Sequence, residues 1–115
     1  MFYVTIFQIV SEMKVSDVIF QEIDKRYLKT FETFIDAKAY LHAIQNRKLM
    51  YNYPLAVIGE YKADKNPRIL KQSFYKYYPT SNDYVEVEGN TGLVSSTLTM
   101  LHPFEGTVLF DSDLV

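Results

Sequence analysis

The stretch TFIDAKAYLHAIQNRK, residues 33–48, decides the fold, because it is the clearest helix in a chain otherwise rich in strand-forming residues. Thr33 can cap this helix, and Asp36 follows three residues later, where a carboxylate favours the exposed amide hydrogens of the first turn. Arg47 and Lys48 lie in the last turn, where positive charge is favourable. An apolar stripe recurs at the three- and four-residue spacing of one buried face: Phe34, Ala37, Leu41 and Ile44.

Two nearly continuous apolar runs flank this helix. Residues 2–10, FYVTIFQIV, and residues 55–61, LAVIGEY, are rich in β-branched and aromatic residues, which is typical of strands covered on both faces. Residues 69–78 follow the turn-forming segment 64–67 and would return as the second strand of a hairpin. We expect an α+β fold, with an antiparallel sheet of about five or six strands and one main helix packed on one face.

Residues 15–31 fit two different structures. Mixed apolar and polar positions and the run Val18-Ile19-Phe20 favour a strand. Alternatively, Ser16 could cap a helix with one apolar face. That face would be formed by Ile19, Phe20, Ile23, Tyr27 and Phe31. We prefer the strand.

The chain length of 115 residues predicts a single domain. Within it, residues 1–79 form the predicted helix-and-sheet core, and residues 80–115 form an acidic, β-rich C-terminal arm. The arm contains three strand-like pieces, at 84–88, 93–101 and 107–110. The residues expected in the core are Val4, Ile6, Phe34, Ala37, Leu41, Ile44, Val57 and Ile58.

Residues able to carry catalysis are few. The chain holds no cysteine, which excludes disulfides, thiolate metal sites and thiol nucleophiles. His42 falls on the polar side of the predicted helix and His102 precedes a proline, so neither has the convergent donors of a zinc site or a catalytic triad. Asp111 and Asp113 supply too few oxygens for a hard cation. Phosphate-loop and dinucleotide motifs are also missing, and we expect a non-enzyme that binds no cofactor or metal.

The N-terminal sequence carries no mark of export or membrane insertion. It has neither a positive leading segment nor a small-residue cleavage site. Its apolar run is far shorter than the roughly 20 residues of a membrane helix. Because the lack of cysteine also fits a reducing compartment, we expect a cytoplasmic protein with no membrane partner.

Charge is distributed unevenly along the chain. Residues 49–79 carry five lysines and arginines against two acids, whereas residues 80–115 carry six acids and no base. The formal net charge of −2 hides this division.

The basic segment is also the aromatic one, which is typical of surfaces that bind single-stranded nucleic acid. Phosphates would be held by Lys62, Arg68, Lys71 and Lys76. Bases would stack on Tyr75, Tyr77 and Tyr78. The alternative is a half-buried edge hairpin whose lysines keep it soluble and discourage strand pairing.

The acidic third suggests a different partner. It could bind a basic protein surface, as an inhibitor or assembly factor, through Glu86, Glu88, Asp111 and Asp113. It could instead fold over the basic hairpin, or simply be solvated. Strand edges left unpaired would also allow a homo-oligomer.

One short motif and the order of elements resemble a known family. A strand, a helix containing FIDAKAYL (34–41), the run YPLAVIGEY (53–61) and a turn into Ile69 are similar to the small non-structural proteins of gokushovirus-type microviruses. In that family the strand after the helix ends in Leu/Ile-Gly-Glu-aromatic. The resemblance covers about residues 2–70, and the turn departs from it in having three basic residues beside Asp64. It implies a phage protein without enzymatic activity that acts in single-stranded DNA synthesis and packaging, and it assigns no individual site.

Overall fold

A computed structural model of the chain describes residues 1–65, 68–88 and 107–115. Its strands are β1 (Phe2–Val15), β2 (Val18–Phe31), β3 (Leu55–Lys62), β4 (Arg68–Tyr78), β5 (Asp83–Val87) and β6 (Thr107–Val108). Two helices, α1 (Phe34–His42) and α2 (Arg47–Asn52), connect β2 to β3, and a 3-10 turn covers Asp111–Asp113.

The six strands form one sheet in the order β5-β4-β3-β1-β2-β6. All neighbours pair antiparallel except β6, which runs parallel to β2 through two residues. The expected α+β fold is therefore confirmed, and so is the strand interpretation of the ambiguous segment, since residues 18–31 lie in β2. Ser16 occupies the hairpin turn between β1 and β2 with a positive φ of 56° and does not cap a helix.

Both faces of the central strands are buried. The helix face, on which α1 and α2 pack, contains Val4, Ile6 and Ile58, together with Ala37, Leu41 and Ile44 from the helical segment. The opposite face contains Tyr3, Phe7 and Val57. All eight predicted core residues belong to these clusters, although Phe34 is only partly buried and packs at the margin of the first one.

The predicted single helix over residues 33–48 is wrong in its second half. Thr33 does cap α1, because its hydroxyl accepts a hydrogen bond from the Asp36 amide at 3.2 Å. However, α1 ends at His42, and the Asn46 side chain caps a second helix by accepting from the Leu49 amide at 3.0 Å. Arg47 therefore begins α2 instead of ending α1.

The C-terminal residues pack against the connection between α1 and α2, which we call the helical corner. The Leu114 carbonyl accepts hydrogen bonds from the Gln45 and Asn46 amides at 3.1 and 2.9 Å, and the Leu114 side chain is buried in the helix-face cluster. In its described parts, the acidic third thus contributes the two edge strands, β5 and β6, and two core residues, Tyr84 and Leu114. The predicted strand-like piece at 93–101, together with His102, lies outside the described residues.

Strands β1 and β2 are longer than their neighbours. β3 pairs with β1 only from Phe2 to Phe7, whereas β1 and β2 stay paired as far as Val15 and Val18. Residues 10–22 therefore form a two-stranded extension of the sheet, which we call the β-arm.

Candidate functional site

The expected base-stacking surface on β4 does not form. Tyr75 and Tyr77 are 1% and 4% exposed and belong to the helix-face cluster. Alternation along β4 directs both rings under the helices, and the Tyr77 hydroxyl donates to Asn82 Oδ1 at 2.8 Å. The prediction that Tyr75 and Tyr77 stack bases is therefore wrong. Tyr78 is exposed.

The remaining predicted nucleic-acid residues are divided between the two faces. Lys76 shares the opposite face with Tyr78, and its Nζ lies 5.7 Å from the Tyr78 ring centroid. Lys62 and Arg68 are cross-strand partners on the helix face, and Lys71 pairs with Glu60 on the same face. Arg68 and Lys76 are eight residues apart along β4, about 26 Å, so the predicted set does not form a single surface.

The predicted acidic partner site is also dispersed. Glu86 lies on β5, and Glu88 follows that strand. By contrast, Asp111 accepts a hydrogen bond from the Tyr40 hydroxyl of α1. Asp113 accepts one from the Phe110 amide at 3.3 Å. The last two carboxylates thus serve the docking of the C-terminal residues onto the helical corner.

A cleft opens on the helix face beside the beginning of α1. Its volume is about 350 Å³. Ile58 and its cross-strand partner Ser73 line its floor. The rings of Phe2 and Phe34 meet edge to face, with their centroids 6.0 Å apart. We call this site the Phe cleft; its lining residues are Phe2, Phe34, Ile58, Glu60, Lys71, Ser73 and Glu86.

Three charged side chains line the Phe cleft: Glu60, Lys71 and Glu86. Within the described part of the chain, none of these three side chains makes a hydrogen bond or an ion pair. Tyr75 is the cross-strand partner of Glu86, and its buried hydroxyl has no hydrogen-bond partner. Burial and, secondly, the negative charge of Glu86 raise the pKa of Tyr75 to about 12. The negative charge of Glu86 is thus felt by the neighbouring hydroxyl of Tyr75.

The β-arm exposes apolar side chains that the sequence analysis did not select. Met13 and Phe20 face each other across the two strands and are 62% and 50% exposed, and Val15 is also half exposed. On the other face, Glu12 accepts a hydrogen bond from Gln21 at 2.8 Å. The alternation of apolar and charged residues over 12–15 was the available signal for a strand with one apolar face.

The β-arm also carries excess negative charge. Its exposed acids are Glu12, Asp17 and Glu22, against one base, Lys14. The arm is therefore an amphipathic ribbon with an apolar face and an acidic margin.

Groups that suggest catalysis or membrane insertion are scarce in the residues described. His42 Nδ1 lies 2.7 Å from Asp83 Oδ1 in an exposed contact. No cluster of three or more His, Asp or Glu that could hold a metal occurs there. No described helix is long and apolar enough to cross a membrane. Comparison of the chain with family models, curated proteins and solved structures finds no match.

Proposed function

We propose that this chain is a non-enzymatic protein-binding factor, an inhibitor or assembly factor, that engages a basic surface of another protein through the β-arm. The observation that carries the proposal is the exposed apolar pair Met13 and Phe20 on a ribbon that no other described element covers. Exposed apolar side chains grouped on one side of a projecting element are typical of interaction sites.

A partner would stabilise the β-arm as well as bind it. A two-stranded ribbon by itself is marginally stable in water. Covering Met13, Val15 and Phe20 would remove apolar area from water at about 25 cal/mol per Å². The β1 edge beyond Phe7 is not paired with β3, so it could also add a partner strand through main-chain hydrogen bonds.

Charge indicates what kind of partner would fit. The arm carries three acids and one base between residues 10 and 22. Two copies of the chain meeting through their arms would bring together like net charges, which is unfavourable. A partner with an apolar strip flanked by lysine or arginine would instead be complementary in both respects. We place this interaction in the cytoplasm, since a cysteine-free chain suits a reducing compartment.

Substitution of the arm tests the proposal. Wild-type protein immobilised on beads should capture a basic protein from cells of its source, and a synthetic peptide of alternating leucine and lysine should shift the amide resonances of residues 10–22. A Met13→Ser/Phe20→Ser variant should lose both effects. The matched control is Ile35→Ser/Leu70→Ser, which removes two other exposed apolar side chains.

Two results would overturn it. Equal peptide binding by wild type and the arm variant would show that Met13 and Phe20 are not the contact. A wild-type dimer in light scattering that becomes monomeric in the arm variant would identify a second copy, not a basic protein, as the occupant.

A second candidate function is binding of single-stranded nucleic acid at the end of the β3–β4 hairpin. The observation that favours it is the cross-strand pair Lys62 and Arg68, with Lys71 on the same face. The resemblance to microvirus proteins points to the same ligand. Because Glu60 and Glu86 line the same cleft as Lys71, we expect weak binding that depends steeply on salt.

Oligonucleotide titration at low salt separates this candidate from the first. Lys62→Ala/Arg68→Ala should weaken binding of a labelled single strand. Lys76→Ala, a lysine on the opposite face of the sheet, is the matched control and should leave it unchanged. Equal loss in both variants, or no binding by the wild type, would remove the candidate.

A further inference from the structure

The Phe cleft contains more negative than positive charge. Two carboxylates, Glu60 and Glu86, line it together with one ammonium group, Lys71. None of the three has an ion-pair partner within the described residues. One additional cation inside the cleft would therefore bring its lining to neutrality, whereas a phosphate would meet two like charges.

The apolar part of the cleft restricts the shape of that cation. Phe2 and Phe34 are partly buried and approach each other edge to face, so ring surface remains available beside the carboxylates. A planar guanidinium stacks on aromatic rings and donates two parallel hydrogen bonds to one carboxylate. A compact, strongly hydrated ammonium group can use the carboxylates but gains less from the rings.

The geometry points to a guanidinium-binding site, and we propose that the Phe cleft takes an arginine side chain. Glu60 and Glu86 accept hydrogen bonds from the guanidinium, and the rings of Phe2 and Phe34 contact its faces and methylene chain. Ser73, on the floor opposite Ile58, offers one further hydroxyl acceptor. A cavity of about 350 Å³ is large enough for one such side chain.

The source of the arginine rests on the function proposed above, because a basic partner protein is the expected donor. The two contacts are nevertheless separate. Phe2 and Ser11 lie nine residues apart on β1, about 30 Å, so the cleft and the β-arm sit at opposite ends of the strand and can be tested independently.

The experiment titrates the protein with N-acetyl-arginine amide, followed by calorimetry and by the amide resonances of Lys71 and Ser73. N-acetyl-citrulline amide, which has the same shape without the charge, and N-acetyl-lysine amide are the comparison ligands. We expect arginine binding in the millimolar range or tighter, and at least about tenfold weaker binding of the other two.

Isosteric variants locate the site. Glu86→Gln and Glu60→Gln should each weaken arginine binding about tenfold, because each removes one charged acceptor. Glu32→Gln is the matched control, since Glu32 is an exposed carboxylate that belongs neither to the cleft lining nor to the β-arm, and it should bind arginine as the wild type does.

Equal binding of arginine and citrulline, or retention of arginine binding in the Glu60→Gln/Glu86→Gln variant, would overturn the site. Glu86 is exposed and Glu60 is half-buried, and circular dichroism checks that the variants are folded. Failure of the β-arm proposal would give a different result. The Met13→Ser/Phe20→Ser variant would still bind the partner protein, and arginine binding in the cleft would be unchanged.

Discussion

Gly59 shows how a single position shapes the central sheet. It pairs with Tyr3 across β1 and β3, and a Cβ atom built at Gly59 would overlap the Tyr3 ring. The Tyr3 hydroxyl, in turn, accepts a hydrogen bond from Gln72 at 2.8 Å. The glycine is needed here for space and not for an unusual backbone angle.

We expect Gly59→Ala to destabilise the protein by about 3 kcal/mol, because the buried ring must move. Urea unfolding measures the change. In a Tyr3→Leu background the same substitution should cost clearly less, because the obstructing ring is gone. Equal costs in both backgrounds would show that the ring is not the obstacle.

Asp24 links β1, β2 and the helical corner. Its carboxylate accepts hydrogen bonds from Tyr53 at 2.8 Å and Gln8 at 3.2 Å and lies 2.9 Å from Arg26. Burial alone would raise the pKa of Asp24, but the two hydrogen bonds and the arginine outweigh it and hold the pKa below its usual value of 3.8. A carboxylate with a lowered pKa stabilises the fold above its unfolded pKa.

The stability that Asp24 provides should therefore be lost as the pH falls from about 4 through its lower folded pKa. Urea unfolding at pH 5 and pH 3 measures this loss. In Asp24→Asn, the free energies of unfolding at the two pH values should differ less than in the wild type. Asp17→Asn, in the exposed hairpin turn, is the control. An unchanged difference in Asp24→Asn would contradict the assignment.

At the scale of elements, the C-terminal turn decides how α1 and α2 meet. Without Leu114, the Gln45 and Asn46 amides would lose the carbonyl that accepts them, and the core would lose one side chain that is only 5% exposed. The predicted acidic arm is thus partly an anchor.

We expect Leu114→Ala to cost about 2–3 kcal/mol of unfolding free energy, since it leaves a cavity in the helix-face cluster. Thermal or urea unfolding measures it. Val115→Ala, one residue further on and 76% exposed, should change stability by no more than about 0.5 kcal/mol. Similar effects of the two would mean that the turn does not anchor the corner.

At the scale of the whole molecule, buried tyrosines form the core together with aliphatic residues. Burial is the main cause of a raised pKa for six of the ten tyrosines: Tyr3, Tyr40, Tyr53, Tyr61, Tyr75 and Tyr84. In the unfolded chain each would ionise near pH 10. The folded chain therefore holds these protons more tightly than the unfolded one.

Stability should consequently be complete below pH 10 and fall as the pH rises from 10 toward the folded values. The slope should approach about 1.4 kcal/mol per pH unit for each fully buried tyrosine. Urea unfolding between pH 8 and 11, with tyrosinate absorbance recorded in parallel, tests this. Ionisation of all ten tyrosines near pH 10 with undiminished stability would show that the rings are accessible.

Local patterns were sufficient for most elements of the fold. Apolar runs and β-branched residues predicted β1, β3 and β4, and the Thr33–Asp36 cap predicted where α1 begins. The break at His42 was not predicted, because the Asn46 cap competes with helix continuation only once the Leu114 carbonyl accepts the amides of Gln45 and Asn46. The Phe cleft was not predicted either, since Phe2, Phe34 and Glu86 meet only after the sheet has formed.

The sequence by itself determined which residues alternate along β4, but not which of its two faces the helices cover. Tyr75 and Tyr78 lie in the same stretch of lysine and aromatic residues, yet Tyr75 is buried and Tyr78 is exposed. Strand periodicity assigns residues to two sides, and only the packing of α1 and α2 makes one side interior. For the same reason the β-arm became visible only in the tertiary structure, where β3 stops pairing at Phe7 and leaves Met13 and Phe20 exposed.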